Sequence, residues 1–183
     1  MNLAPRLRKF VLTTHVVSSV GWLGAAATYL ALAIFVLTEK NPQLVRAGVL
    51  AMKPIVVFVV VPLALISVIS GIVQSLGSAW GFLRHWWMVF KLILIAFAAL
   101  VLTEYTSFII PLASLAAHPV VSSATLAKLQ DTGHGVHSAG GLAVLTVITA
   151  LGVIKPRSMT RRGQRQQLEQ RRRHEEQRKV LQP

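Results

Sequence analysis

The stretch Ser70–Lys91, SGIVQSLGSAWGFLRHWWMVFK, sets how this chain is organised. It ends one apolar run, turns through Gly77, Trp80 and Gly81, and opens the next run with Trp86, Trp87 and Lys91. So short a connection between two long apolar runs predicts that they are neighbours in space. Lys91 is also the one lysine set well inside an apolar run.

The segments on either side read the same way. Residues 10–38 carry no Lys, Arg, Asp or Glu. At about 1.5 Å per residue, a helix of that length exceeds the ~30 Å hydrocarbon thickness of a bilayer. Asn41-Pro42 marks its exit. Residues 54–83 are again free of formal charge, with Pro54 suited to a first helical position and Pro62 expected to kink the helix. The third span opens at Trp86 or Trp87 and runs to about Ile110, before Pro111. A fourth runs from about Thr132 to Ile154, where Lys155-Pro156 stops it. Between the last two, residues 123–129 suit a short interfacial helix capped by Ser122 or Ser123.

These readings give an all-α, four-span transmembrane bundle over residues 1–157, with spans near 10–37, 54–80, 86–110 and 132–154. Residues 158–183 form a basic tail, disordered or a surface helix, since from Thr160 on Leu168, Val180 and Leu181 are its only sizeable apolar residues. Arg6, Arg8 and Lys9 before an apolar run resemble a signal peptide, but the run continues to Leu37 and reads as a retained span.

The chain of 183 residues has a formal net charge of +13, and the last 29 residues hold ten Lys/Arg against three Glu. Even spans place both termini on one side, and the excess of Lys and Arg there makes that side the cytoplasm of a bacterial-type plasma membrane. The tail then faces anionic lipid headgroups, and no nucleic-acid partner is expected. The absence of cysteine excludes disulfides, thiolate metal sites and cysteine nucleophiles.

Two sets of small residues suggest helix contacts. Ser67, Gly71 and Ser75, four apart, make a strip that admits another helix, and Gly140-Gly141 permits close packing. Such strips also permit self-association.

Polar residues inside the spans are the functional candidates. His15 is read in two ways: a neutral histidine donating to a carbonyl, Ser or Thr, or a haem or metal ligand or proton carrier. Trp22 lies two turns along the same face and packs inside. Lys91 falls at a depth where it meets His15 or extends its amine to the headgroups. Trp80, Trp86 and Trp87 read as an aromatic belt. On the other side of the membrane, His134 and His137 share a helix face and, with Glu104, are a candidate metal site.

Several of these motifs are familiar in combination. His15-x6-Trp22-Leu-Gly24, Ser70-Gly71, Trp80-Gly81-Phe-Leu-Arg-His-Trp-Trp87-x3-Lys91, Gly140-Gly141-Leu and Lys155-Pro156-Arg157 resemble a family of uncharacterised four-helix bacterial integral membrane proteins. The resemblance spans about residues 8–160. A more distant one is to the HemJ-type protoporphyrinogen oxidases and, more loosely, the copper resistance D membrane domains. His15 and Trp22 fit the first-helix pattern of the HemJ type, and Trp87, Lys91 and Leu92 fit a later-helix pattern. That resemblance implies a b-type haem, with His15 as ligand and Lys91 near a cofactor carboxylate. The chain departs from it at Thr28-Tyr29-Leu30-Ala31-Leu32, where HemJ-type proteins have a Leu-Pro-Arg segment and a Tyr-His pair, and it lacks their fourth-helix Asn-Glu feature. The functional expectation is therefore a haem-linked or redox-associated membrane protein. A membrane scaffold, a small transport component, or metal handling at the outer face are the alternatives.

Overall fold

The structure is a computed structural model that describes residues 4–76, 86–118, 122–154 and 160–181. Its order is α1 (Pro5–Thr38), α2 (Pro42–Ile55), a π-turn (Val56–Val60), α3 (Val61–Leu76), α4 (Trp86–Ala117), α5 (Ser123–Leu129), α6 (Gly133–Ile154) and α7 (Arg161–Leu181). Four stretches, Pro5–Thr38, Pro42–Leu76, Trp86–Ala117 and Ser123–Ile154, are long and apolar enough to cross a membrane. The protein is an all-α, four-span bundle and a multi-pass membrane protein, its outward apolar side chains in contact with lipid.

Helix α1 is the hub. It packs on α3, on α6 and on α2, while α4 packs on α2 and α6. The two spans that flank the Ser70–Lys91 connection touch little: α3 leans on α1 and meets α4 at few places. Adjacency in sequence is realised instead at the far end, where α2 packs on α4.

Helix boundaries depart from the sequence reading at two prolines. The second span's helix starts at Pro42, not Pro54. Asn41 caps it by accepting from the Gln43 N–H at 2.9 Å, and Pro42 takes the first-turn place where a missing N–H costs nothing. Val45, Gly48, Val49 and Met52 then form a buried stripe at helical spacing. Pro54 lies inside the helix. In α4 the helix continues through Pro111 to Ala117.

Pro62 has no N–H to return to the preceding turn. The strain is taken up just before it: the Val61 N–H reaches back to the Val56 carbonyl, the five-residue step of a π-turn. This widened turn carries Val56 and Val60, both buried.

Packing divides the bundle into two levels. At the end formed by α2, α5 and the ends of α1 and α4, the α5 end, one cluster unites Tyr29, Ala33, Val36, Val45, Val49, Met52, Tyr105, Ile109, Leu112, Ala116 and Leu129. Most fully buried side chains are here. Two polar side chains tie it. Arg46 Nε donates to the Ala116 carbonyl at 2.8 Å, closing the end of α4, and Gln130 donates to the carbonyls of Val36 and Glu39 at 2.9 and 2.8 Å, closing α1. Helix ends carry unsatisfied carbonyls, so these two residues supply the missing donors. The second cluster, Trp22, Ala25, Val60, Ala64 and Leu145, lies deeper in the spans. There α1, α3, α4 and α6 turn many apolar side chains outward, as a lipid-facing surface requires.

Candidate functional site

Beside the second cluster the helices part. A cleft of about 350 Å³ runs between α1, the π-turn, α4 and α6. Its deep end is walled by Trp22, Phe97, Ala98, Val144 and Leu145, and its other end by Tyr29, Tyr105, Val56, His137 and Ser138. From Phe97 to Tyr105 is about 12 Å along α4 at the rise of a helix. Trp22 is 6% exposed, but Phe97 and Val136 in the same wall are 53% and 70% exposed. The cleft therefore opens sideways, between α4 and α6, toward lipid. Among the described residues no Asp, Glu, Lys or Arg lines it, and its volume lies within the ~300–1,000 Å³ of small-molecule sites.

Gly140 and Gly141 line this cleft. A Cβ added at either meets nothing within 4 Å. The expected close helix contact at this pair is absent; the pair leaves a gap, because α6 turns it toward the cleft and not toward a neighbouring backbone. The Ser67-Gly71-Ser75 strip behaves as read from sequence, and its partner is α1. Ser19 and Ser67 hydroxyls lie 2.7 Å apart across the contact, Gln74 Nε2 donates to the Val11 carbonyl at 3.4 Å, and Ser75 is buried. The strip is spent within the chain.

His15 sits in that same α1–α3 contact. Its Nδ1 is 3.0 Å from the Ser67 carbonyl and 3.2 Å from Ser70 Oγ. A Cβ at Gly71 would stand 3.0 Å from the His15 Cε1, a tight contact that would press on the ring. Lys91 lies against α6, with its Nζ 3.2 Å from where a Gly152 Cβ would be. The sequence groups His15, Lys91 and Trp22 as one candidate set. Trp22, the third residue of that set, belongs to the cleft, whose wall contains neither His15 nor Lys91. The Nδ1 bond to α3 fixes the His15 ring and leaves Nε2 as the nitrogen that could ligate a metal. The ring packs against Gly71, and the cleft described above is not lined by it.

Of the tryptophans, Trp86 is half exposed, as a belt residue is, but Trp87 is buried. Trp80, Gly77, Gly81 and His85 lie outside the described residues.

At the α5 end of the cleft the structure assembles a polar chain that the sequence reading missed. Tyr29 Oη lies 2.5 Å from Tyr105 Oη, and Tyr105 Oη lies 2.5 Å from His134 Nδ1. The tyrosine rings meet edge-on at 5.6 Å. His134 is wholly buried, and its Nε2 makes no hydrogen bond. His137, three residues on, is exposed, contacts the Tyr105 ring at 5.3 Å, and has its Nδ1 2.8 Å from the Gly133 carbonyl. Glu104 is exposed on α4. His134, His137 and Glu104 do not converge, and among the described residues no group of three His, Cys, Asp or Glu side chains stands ready for a metal ion. The only sequence signal for the polar chain was the presence of two tyrosines, both inside apolar spans.

The chain matches no family model, no curated protein and no solved structure.

Proposed function

We propose that this protein holds an uncharged, membrane-dissolved small molecule in the cleft between α1, α4 and α6. One observation carries the reading: a cavity of ligand size, open sideways to lipid and with no charged residue among the described residues of its wall. A water-soluble ligand gains little from such a wall. A hydrophobic one enters from the bilayer without crossing water.

The setting proposed for it is a bacterial-type plasma membrane with both chain termini in the cytoplasm. The basic residues near the termini support this orientation. It places the α5 end outside and the basic α7 beside the inner headgroups, where Lys and Arg attract anionic lipid.

The test is organic extraction of the purified protein and mass spectrometry of the extract, for the wild type and for Gly140→Leu, which fills the cleft. A hydrophobic compound retained by the wild type and lost from the variant is the expected result. An identical set of compounds in both overturns the proposal.

A further inference from the structure

The polar chain at the end of the cleft narrows the class of ligand, a narrowing that rests on the cleft being a binding site. Tyr29 and Tyr105 both wall the cleft. Their hydroxyls and His134 form one chain of two hydrogen bonds. Each hydroxyl carries one proton, and a neutral imidazole carries one.

Two proton orders satisfy both bonds. In the first, His134 Nδ1–H donates to Tyr105, Tyr105 donates to Tyr29, and the Tyr29 proton is left over for a further acceptor. In the second, Tyr29 donates to Tyr105, Tyr105 donates to Nδ1, and the His134 proton resides on Nε2. Tyr29 then offers only lone pairs. Nε2 makes no hydrogen bond of standard geometry, although the Leu129 backbone lies near it. The Leu129 backbone favours the second order, with the proton on Nε2, but no hydrogen bond of standard geometry holds it there, so the first order stays within reach. Tyr29 is thus a contact that donates or accepts according to what it meets.

We infer that the cleft takes a neutral ring compound whose oxygen exists both as carbonyl and as hydroxyl, the quinone–hydroquinone class, and that Tyr29 meets that oxygen. A carbonyl only accepts; a hydroxyl can also donate. A fixed donor would favour one form over the other, whereas this chain serves both by shifting its protons. The rest of the site agrees. Trp22 and Phe97 give the wall the aromatic surface a ring packs on, no charged side chain among the described residues lines it, and the mouth opens where such compounds dissolve.

The experiment is a calorimetric titration of the full chain in lipid nanodiscs with three probes sharing one tail: a decyl-benzoquinone, its hydroquinone and decylbenzene. Expected are similar affinities for the first two, and decylbenzene weaker by about tenfold, the worth of one hydrogen bond. Tyr29→Phe should lose about tenfold for both oxygenated probes and nothing for decylbenzene. Equal binding of decylbenzene by the wild type overturns the inference and makes the occupant a purely apolar one, such as a lipid acyl chain. Unchanged quinone affinity in Tyr29→Phe overturns it as well. Gly140→Leu separates the two levels: if it weakens none of the probes, the cleft itself is not the site. Should Tyr29→Phe not fold, the three-probe series on the wild type decides alone.

Discussion

Tyr105 Oη lies 2.5 Å from His134 Nδ1, with the phenol ring edge-on to the imidazole at 6.1 Å. This contact joins the middle of α4 to the first turn of α6 and is shared with Tyr29 from α1. Three helices therefore meet through one buried hydroxyl. Removing it leaves two polar groups without a partner, which costs more than the bonds themselves return.

Tyr105→Phe is accordingly expected to destabilise the fold by about 1–3 kcal/mol for each group left unsatisfied. Tyr29→Phe removes only the end of the chain and should cost less. Thermal unfolding of the detergent-purified variants checks the order. Equal losses from the two substitutions would count against a chain centred on Tyr105.

The two kinds of glycine in the spans should respond oppositely to alanine. At Gly71 the added methyl meets His15 at 3.0 Å, while at Gly140 and Gly141 it meets nothing within 4 Å. Gly71→Ala is expected to destabilise by about 1–3 kcal/mol through overpacking. Gly140→Ala and Gly141→Ala should stabilise by up to about 1 kcal/mol through helix propensity. Melting temperatures of the three single variants suffice to compare them.

His15→Ala is expected to rescue Gly71→Ala in part, because it removes the ring that the new methyl strikes. The double variant should be more stable than the sum of the two single losses predicts. Strict additivity would mean that the ring and Gly71 do not constrain each other.

Arg46 and Gln130 are expected to hold the α5 end together. Arg46→Met strands the Ala116 carbonyl, and Gln130→Leu strands those of Val36 and Glu39. Each should cost about 1–3 kcal/mol. Hydrogen exchange should quicken at the last turn of α4 for the first variant and of α1 for the second, leaving α3 unchanged.

Much of the architecture was legible because it is local in sequence. Four apolar runs, each long enough to span a bilayer, are visible in hydropathy alone. The cap at Ser122 follows from residue type. The small strip on α3 was readable too, because Ser67, Gly71 and Ser75 recur at one helical spacing.

Which face of each helix looks inward was settled only by packing. In a soluble bundle the apolar stripe reveals that face, but in a membrane the outward face is apolar as well, and the contrast vanishes. Hence Gly140-Gly141 read as a contact and proved to be a gap, and Trp87 read as a belt residue and proved buried. The partnership of Tyr29, Tyr105 and His134 was invisible for the same reason. They come from three helices with 76 and 29 residues between successive partners. Only the rotation and spacing of those helices, set by the hub α1 and the π-turn before Pro62, bring their polar atoms together. Hydropathy was enough to specify a four-span membrane bundle; the way its helices pack fixed where in it a ligand has room.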